Sequence, residues 1–387
     1  MKKYDVIIVG AGFAGATIAN KLSEAGFNVL VLEKREQIGG NMYDYLDENG
    51  VLVHKYGPHI FHTNHRDVFE YLKTFTPFVK YEHKVLGNID GTLVPIPFNF
   101  TSLEKLLPNE AKEIEKKLLD SHKDSNRVSI LELINSDDPQ IKRFGEYVYE
   151  KVFVHYTAKQ WGIHPNKVDK SVINRVPVVF GYNDLYFSDT YQYMPKYGFT
   201  KIFEGMLNSP RIEVRLNVKA NDVLTLKDNK IYFEGKEFKG KLVYTGAIDE
   251  LFNYQFGALP YRSLNLVFER HNVTWYQPNS VVNYPTSEDF TRITEFKYLA
   301  MQDIKDKTTI LKEYSLMYDK DKKDMTPYYP IQNENNIAMY NKYLDIVKGF
   351  KNIYLCGRLA EYKYYNMDIV IKKAFEVSDE IIKDLKK

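Results

Sequence analysis

The sequence predicts an α/β fold, in which a parallel sheet with flanking helices carries a helical insertion and an antiparallel sheet. Residues 4–33 have the order strand, glycine-rich turn, helix, strand. Residues 98–176 have mostly helical spacing, whereas residues 81–97 and 264–314 alternate polar and apolar side chains, as strands with one exposed face do. Strand and amphipathic-helix patterns return over residues 352–384, so we expect the parallel-sheet domain to be discontinuous.

The first element is a βαβ unit. Tyr4–Val9 contains a β-branched run typical of a buried parallel strand, and Gly10–Gly15 follows with the pattern G-x-G-x-x-G. Ala16–Ala25 has helical periodicity, and Asn28–Leu32 is a second buried strand that ends at Glu33. A glycine pattern between a strand and a helix, with an acid at the end of the next strand, predicts a Rossmann-like dinucleotide site.

The residues of this motif have distinct physical roles. Gly10 permits a tight turn, Gly12 lets a pyrophosphate approach the backbone, and Gly15 lets the helix pack closely on the strand. The N-terminus of the helix supplies N–H donors for the phosphates. We expect Glu33 to accept hydrogen bonds from the adenosine ribose hydroxyls.

The later elements follow from periodicity. Helical spacing between polar breaks predicts helices at Leu103–Leu107, Glu110–Leu119, Ile130–Ile134 and Ile141–Val154. Arg211–Val218 has the pattern of an extended segment. The chain therefore passes from the dinucleotide-binding unit into a helical insertion and returns later.

Composition excludes several classes of protein. The 387 residues are 44% hydrophobic and 27% charged, with 53 Lys and Arg against 51 Asp and Glu, so no strong basic surface for nucleic acid is indicated. No apolar run approaches the ~20 residues of a membrane span. A single cysteine, Cys356, permits no internal disulfide and no multi-thiolate metal site, which favours a reducing cytoplasm. The 31 tyrosines exceed what a core needs and indicate a pocket lined by phenols.

The residues after Glu33 favour FAD over NAD as the dinucleotide. Glu33–Asn41 contains the pair Gly39–Gly40 and resembles the extended fingerprint of flavoproteins that bind two dinucleotides. Met194–Gly198, Arg211–Val218 and Leu355–Arg358 fall where amine-oxidase-like members of that group place further FAD contacts. Because no second G-x-G-x-x-G is present, we expect electrons for the flavin to come from an external reductant.

Five further strings, in order along the chain, resemble the UDP-galactopyranose mutases, flavoenzymes that interconvert UDP-galactopyranose and UDP-galactofuranose. The resemblance implies an FAD-binding domain, a helical domain that carries a mobile substrate loop, and a six-stranded antiparallel domain. The matching strings are Tyr56–Thr63, Tyr156–Gly162, Thr291–Glu295, Pro327–Ile331, and Gly357–Arg358 through Tyr364 to Met367–Asp368.

Combined with the patterns above, this resemblance predicts domain boundaries and cofactor contacts. The FAD-binding domain is expected at 1–76, 196–258 and 332–387, the helical domain at 99–176, and the antiparallel sheet domain at 77–98, 177–195 and 259–331. The expected FAD-binding residues are Gly10, Gly12, Phe13, Ala14, Gly15, Glu33, Lys34, Gly39, Gly40, Asn41, His59, Ile60, Val218, Gly357, Arg358, Met367 and Asp368.

The resemblance also assigns residues to a UDP-sugar. Arg175 and Arg292 match the two arginines that bind the diphosphate, a role that suits guanidinium groups because they are always charged and can donate two parallel hydrogen bonds. Arg175 lies on the segment expected to close over the site. The other implied contacts are Tyr156, with Phe153 beside it, against the uracil, Trp161 on the loop side, the phenols of Tyr186, Tyr329 and Tyr364 on phosphate or sugar, and Asn283 near the uridine.

Two histidines in this region invite comparison with a metal site. His59 and His62 lack thiolate or clustered carboxylate partners at zinc-like spacing, so we expect no metal. The resemblance places both beside the flavin, with His62 at its edge and, with the two arginines, in the catalytic group. Asp319–Asp321 has the form D-x-D of metal-dependent glycosyltransferases, but it lies in a charged run and is predicted to be a solvated loop.

One position departs from the family pattern. Asn366 stands where well-known bacterial members carry an aspartate, so one negative charge beside the substrate phosphates is missing. A neutral amide still donates and accepts hydrogen bonds. Asn366 therefore remains an expected substrate contact with an altered role.

The expected function is the reversible ring contraction of UDP-galactopyranose. The resemblance implies that N5 of reduced FAD attacks the anomeric carbon and expels UDP, in a cytoplasmic homodimer that supplies galactofuranose for surface polysaccharide. Two alternatives remain open on the sequence alone: an amine-oxidase-like flavin oxidoreductase, and a non-catalytic binding protein of the GDP-dissociation-inhibitor type. Whether UDP-N-acetylgalactosamine is also accepted is not decided by the sequence.

Overall fold

The computed structural model describes residues 3–161, 177–286, 288–322 and 325–387, with the backbone alone for residues 160–161. The predicted substrate loop and Arg175 lie outside these residues. Among the described helices, none is long and apolar enough to cross a lipid bilayer.

The centre of the molecule is a five-stranded parallel sheet. Its strands lie in the order Ile212–Arg215, Val29–Leu32, Val6–Val9, Lys241–Tyr244 and Ile353–Leu355, and each neighbouring pair is parallel. The predicted βαβ unit therefore forms the middle of this sheet. Two strands from the middle of the chain, Ile212–Arg215 and Lys241–Tyr244, and Ile353–Leu355 complete it, which confirms the Rossmann-like α/β fold.

Both faces of the parallel sheet are covered, which explains why its strands are apolar throughout. Val6 and Ile8 pack on one side with the helices Phe13–Glu24 and Met367–Leu385. Ile7 packs on the other side with the small sheet that follows Ile212–Arg215.

Helices account for much of the remaining chain. The predicted insertion is helical, and its helices begin at polar residues: Asn99, Ser129 and Asp138 each accept a backbone N–H of the first turn through the side chain. The helices are Phe13–Glu24, Arg66–Lys73, Phe100–Leu106, Ala111–Ser121, Ile130–Ile134, Pro139–Val148, His155–Trp161, Thr200–Leu207, Ala220–Val223, Ile248–Leu251, Phe296–Ala300, Glu334–Val347 and Met367–Leu385, with a 3₁₀ turn at Gly40–Met42 and a π-helical segment at Tyr149–Val154.

The second large sheet has seven strands within the described residues, not the six that the resemblance implies. The additional edge strand is the two-residue Tyr329–Pro330, and Val281–Asn283 pairs in parallel with Val85–Ile89, so the sheet is not purely antiparallel. That parallel pairing joins segments far apart in sequence, which local alternation cannot reveal. The strand order is Tyr329–Pro330, Tyr261–His271, Thr308–Met317, Arg292–Glu295, Val281–Asn283, Val85–Ile89, Thr92–Ile96.

Smaller sheets connect these parts. Phe61–Thr63 and Phe78–Lys80 flank Tyr191–Pro195 in a three-stranded sheet, and the pairing places His62 opposite Gln192. The other short pairings are Asp44–Leu46 with Leu52–His54, Arg127–Val128 with Val178–Val179, and the meander Leu224–Lys227, Lys230–Phe233, Lys236–Phe238.

Candidate active site

A cavity of ≈ 400 Å³ lies at the carboxyl ends of the parallel strands. Val9, Leu32 and Tyr244 line it where their strands end, which is the position at which open α/β sheets bind ligands. Most of the residues predicted to contact a dinucleotide line it: Gly10, Gly12, Phe13, Ala14, Glu33, Lys34, Gly39, Gly40, Asn41, His59, Val218, Gly357, Arg358 and Met367.

The glycines bring two backbone segments together beneath this cavity. Gly10 has a φ of +102°, and a Cβ there would lie 2.2 Å from Oγ1 of Thr245. A Cβ on Gly15 would lie 1.9 Å from the carbonyl oxygen of Gly10, so this glycine serves the packing of helix on strand. Gly12 and Gly40 face each other, since a Cβ on Gly40 would come within 3.0 Å of the Gly12 Cα. The two backbones form a cradle that a side chain would fill.

Glu33 fixes the shape of this cradle. Its side chain accepts the N–H of Ala11 over 2.9 Å at Oε2 and the N–H of Arg35 over 3.0 Å at Oε1. Each carboxylate oxygen can accept more than one hydrogen bond, so Glu33 can still bind a hydroxyl in the cavity that it lines. Arg35 in turn donates to Asn41 over 2.9 Å and stacks 3.9 Å above the ring of Tyr56.

Three of the predicted cofactor residues do not line the cavity. Gly15 lies behind the turn, and Ile60 packs against the core. Asp368 accepts hydrogen bonds from Oγ1 of Thr63 and from the N–H of Ile369, both over 2.8 Å, at the start of the last helix. Asp368 therefore holds the segment of His62 and Thr63 against that helix.

The cavity fits a dinucleotide. The N-terminus of the helix Phe13–Glu24 opens into it with no side-chain cap, so its first N–H groups remain available for phosphate oxygens. Cationic side chains that line it include Lys34, Lys219 and Arg358.

A second cluster lies on the seven-stranded sheet. Arg292 lies on a strand between two neighbours, opposite Asn283 on one neighbouring strand and opposite Glu313 on the other. Nε of Arg292 donates a hydrogen bond to Oε1 of Glu313 over 2.6 Å. The hydroxyl of Tyr156 donates to Oδ1 of Asn283 over 3.5 Å. Three of the predicted substrate residues thus meet around the buried carboxylate of Glu313, which is 2% exposed.

Arg358 connects this cluster to the cavity. It lines the cavity, and its guanidinium carbon lies 4.9 Å from the ring centre of Tyr329 and 5.0 Å from that of Tyr364. The two rings stack on each other with centroids 5.6 Å apart. Its Nη2 also donates to the carbonyl of Tyr365 over 2.6 Å. A ligand in the cavity and a ligand on the tyrosines would share this arginine.

The phenols of the cluster are neutral donors at physiological pH. Burial raises the pKa of Tyr156, and the nearby Arg292 opposes that shift only in part. The pKa values of Tyr186 and Tyr364 are raised as well, although the two residues are 41% and 59% exposed. A neutral phenol can donate to a phosphate or hydroxyl oxygen. This is the chemistry that the resemblance implies for Tyr186 and Tyr364.

The histidines differ from one another. His59 lines the cavity, its Nδ1 is buried without a hydrogen-bond partner, and burial together with His54, Arg358 and Arg292 holds its pKa well below the usual value. His62 does not line the cavity. In the described residues no group of three or more His, Cys, Asp or Glu side chains could hold a metal ion.

The remaining predicted contacts have mixed positions. Phe153 is 5% exposed and packs in the core of the helical insertion, so it supports the segment of Tyr156 and presents little surface to a ligand. Asn366 is exposed at the N-cap of the last helix, and its side chain makes no capping hydrogen bond. Arg175 and the side chain of Trp161 lie outside the described residues.

Sequence reasoning missed several residues of the site. Glu313 and His83 carry no local motif, and they reach Arg292 only through strand pairing and loop packing. Thr245 and Gly246 follow a buried strand directly, so a strand end followed by glycine was the signal that could have found them.

Comparison with known proteins shows similarity along the whole chain. The family model described as UDP-galactopyranose mutase matches residues 151–364, and a model of the NAD(P)-binding Rossmann-like domain matches residues 8–75. The UDP-galactopyranose mutase of Mycoplasma pneumoniae is 34% identical, covering 98% of this chain and 96% of the relative. The dTDP-fucopyranose mutase of Escherichia coli is 36% identical, covering 98% of this chain and 99% of the relative.

A crystal structure of reduced UDP-galactopyranose mutase superposes with a TM-score of 0.71 over 98% of this chain and 96% of that one. The two sequences are 17% identical, so this likeness concerns the fold.

Proposed function

The chain belongs to the UDP-galactopyranose mutase family, and we propose that it interconverts UDP-galactopyranose and UDP-galactofuranose with reduced FAD in its cavity. As a family member it is a nucleotide-sugar mutase. The observation that carries the proposal is the position of Arg358, which lines the dinucleotide cavity and stacks on the tyrosines beside Arg292. A flavin and a nucleotide sugar bound at these two places would be neighbours.

The chain's residues fit FAD. The cradle of Gly12 and Gly40 and the N-terminus of the first helix suit the diphosphate, and Glu33 suits a ribose. When bound and reduced, the flavin supplies through N5 the nucleophile for the anomeric carbon. A cofactor-borne nucleophile is consistent with the single thiol, because Cys356 is buried and burial raises its pKa to about 12.

Arg292 stabilises the leaving group in this proposal. Glu313 engages its Nε, which leaves the two terminal nitrogens to donate to the diphosphate. Negative charge develops on the diphosphate as the bond to the sugar breaks, so a preorganised cation lowers the barrier. Arg175 is the second proposed cation.

The nucleoside and the sugar are recognised by the aromatic cluster. Tyr156 stacks on the base with Asn283 beside it, and the hydroxyls of Tyr186, Tyr329 and Tyr364 bind phosphate or sugar oxygens. Phe153 lies under this wall as a support, and Trp161 and Asn366 complete the proposed contacts.

A second candidate substrate is dTDP-fucose, because the mutase of that sugar is as similar to this chain as the UDP-galactose enzymes are. The two substrates share a diphosphate and a galacto-configured ring. They differ by the ribose 2′-hydroxyl, the methyl group of thymine and the hydroxyl at C6 of the sugar. Arg292, Arg358 and the stacking tyrosines would serve either substrate.

The deciding experiment compares both sugars on one preparation. The purified protein should be yellow, and after dithionite reduction it should convert UDP-galactofuranose to UDP-galactopyranose, followed by chromatography of the nucleotide sugars. The same assay with dTDP-fucofuranose measures the alternative. Conversion of neither sugar by reduced, flavin-loaded protein, or equal turnover in air without reductant, would refute the proposal; the flavin oxidase and the non-catalytic binder predict the first result.

The product would then enter a transferase reaction that builds galactofuranose into surface polysaccharide. This step and the homodimer stay predictions from the family resemblance.

A further inference from the structure

His62 is held in place by the carboxylate of Asp189. Its Nδ1 lies 2.8 Å from Oδ2 of Asp189, and its ring stacks on Phe187 with centroids 3.6 Å apart. Both partners of the hydrogen bond are largely buried, with side chains 16% and 21% exposed. Because a carboxylate only accepts hydrogen bonds, Nδ1 of His62 is the nitrogen that carries the proton in this pair.

The loop that carries Asp189 is itself fixed. Nδ2 of Asn64 donates to the other carboxylate oxygen of Asp189 over 2.9 Å, and Oδ1 of Asn64 accepts from the N–H of Thr190 over 2.9 Å. Gln192, opposite His62 in the strand register, donates to the carbonyls of Phe187 and Asp189, both over 3.1 Å. Each oxygen of the Asp189 carboxylate thus has a donor of its own.

The imidazole lies close to the predicted substrate residues, because its stacking partner Phe187 contacts the ring of Tyr186 at 5.0 Å and that of His83 at 5.6 Å between centroids. His59, three residues before it, lines the dinucleotide cavity. His83 is buried, and its pKa falls to about 3 because of burial and because Arg292 and His62 lie near it. His62 has no hydrogen bond from Nε2 to any described residue, so this nitrogen is available to a ligand.

We propose that Asp189 is a positioning residue for the mutase reaction: it fixes His62 with the proton on Nδ1, so that Nε2 can exchange a proton with the bound sugar. The inference rests on the function proposed above. Ring opening of the pyranose adds a proton to the former ring oxygen, and closure of the furanose removes one from another hydroxyl. Because ring opening comes first, His62 enters each turnover protonated on both nitrogens. Nε2 donates its proton to the former ring oxygen, while the proton on Nδ1 stays hydrogen-bonded to Asp189. Nε2 then takes a proton from the hydroxyl that closes the furanose, so the imidazole ends each turnover in the protonation state in which it began.

Asn64 makes a sharp test possible. In Asp189→Asn the new amide oxygen should face Asn64, which donates, so the amide NH₂ faces Nδ1 of His62 and forces the proton to Nε2. We expect kcat to fall by roughly 10²-fold, the scale of a lost general acid–base contribution, with little change in KM because Arg292 is untouched. The tautomer of the neutral His62 imidazole is read from nitrogen-15 histidine NMR of the oxidised holoenzyme, at a pH high enough to remove the second proton, with the His62 signal assigned from its loss in His62→Gln.

The exchange variant N64D/D189N restores the pattern with the same total charge. The amide NH₂ at position 189 should face the carboxylate at position 64, and the amide oxygen at position 189 should face His62. This arrangement returns the proton of His62 to Nδ1 and should recover much of kcat. Asp67→Asn, which breaks an exposed ion pair with Lys372, is the control that should change neither readout.

The proposal is overturned if Asp189→Asn keeps the proton of His62 on Nδ1, or if the tautomer reverses while kcat stays within about twofold of the wild type. It is also overturned if N64D/D189N recovers neither the Nδ1 tautomer nor kcat. The NMR measurement needs no substrate. A wild-type protein that converts no nucleotide sugar would therefore refute the proposed function and leave the Asp189–His62 geometry separately tested.

Discussion

Arg292 and Glu313 face each other on neighbouring antiparallel strands, and Nε of the arginine donates to Oε1 of the glutamate over 2.6 Å. The arginine side chain is 30% exposed and the glutamate 2%. The cation thus reaches the site while its counter-charge stays in the interior, so the pair presents positive charge to a bound diphosphate.

Removing the arginine should separate its catalytic role from its structural one. Arg292→Met loses charge-assisted hydrogen bonds of ~1.5–3 kcal/mol, so kcat/KM should fall by roughly 10- to 150-fold. It also leaves the Glu313 carboxylate buried and unpaired, so the free energy of unfolding in urea should drop. Adding Glu313→Gln should recover stability without recovering activity. Recovery of both in the double variant would contradict the assignment.

Gly12 is predicted to matter for flavin binding and little for folding. Its φ of −82° suits alanine, and the nearest atom to an added Cβ is the Gly40 Cα at 3.7 Å. The methyl group would occupy the cradle, so we expect Gly12→Ala to purify with less flavin and to bind FAD at least about tenfold more weakly, or ~1.4 kcal/mol. Flavin absorbance measures this, and flavin-free samples of both proteins should unfold at the same temperature. Normal flavin content would exclude close approach of the cofactor at Gly12.

Tyr156 should act through its ring more than through its hydroxyl. The hydroxyl makes one long hydrogen bond, 3.5 Å to Asn283, so Tyr156→Phe should change UDP binding little. Tyr156→Ala removes the stacking surface and should weaken binding by ~1–3 kcal/mol. Calorimetric titration with UDP and dTDP tests this. Tyr197→Ala, a change at an exposed tyrosine away from the site, is the control, and unchanged affinity in Tyr156→Ala would remove Tyr156 from the base site.

Asp249 should make stability depend on pH. Burial raises the pKa of this carboxyl to about 6, and its Oδ1 has no hydrogen-bond partner, although Oδ2 accepts the N–H of Leu259 over 2.7 Å. The folded state therefore binds the proton more tightly than the unfolded state, so stability is lost as pH rises from about 4 to about 6, by up to about 3 kcal/mol.

Asp249→Asn removes this loss and keeps an acceptor for Leu259. The stability difference from the wild type, measured by urea unfolding, should grow in favour of the variant between about pH 4 and 6 and stay constant above. Asp67→Asn should have the opposite sign, because the hydrogen bond from Lys372 lowers the pKa of Asp67 and stabilises its ionised form. A pH-independent difference for Asp249→Asn would contradict a raised pKa.

The sequence predicts what is local. The βαβ unit and the glycine turn depend on residues within one short segment, and both are found as expected. The helices of the insertion were accessible in the same way, because their apolar periodicity is local. Asn99 and Asp138 cap two of them, and the predicted helix at 141–154 is found as the α-helix Pro139–Val148 followed by the π-helical segment Tyr149–Val154.

What the sequence could not predict depends on pairing between distant segments. The place of Lys241–Tyr244 next to Val6–Val9, the parallel pair of Val281–Asn283 with Val85–Ile89, and the partnership of Arg292 with Glu313 follow from strand register. The register between two strands depends on how the whole core packs, so it cannot be predicted from any single side chain. The contact of His62 with Asp189 has the same origin.

The parallel sheet has a consequence for biosynthesis. The ribosome synthesises the edge strand Ile353–Leu355 and the covering helix Met367–Leu385 more than 300 residues after the glycine turn. Gly357, Arg358 and Met367, which line the cavity, belong to this last part of the chain. In a nascent chain the side of the sheet that carries Val6 and Ile8 is therefore only partly covered, by the helix Phe13–Glu24, until this last segment emerges. If this cavity binds flavin as proposed, flavin can be captured only after translation is nearly complete, so scarce flavin would leave full-length apoprotein and not stalled fragments.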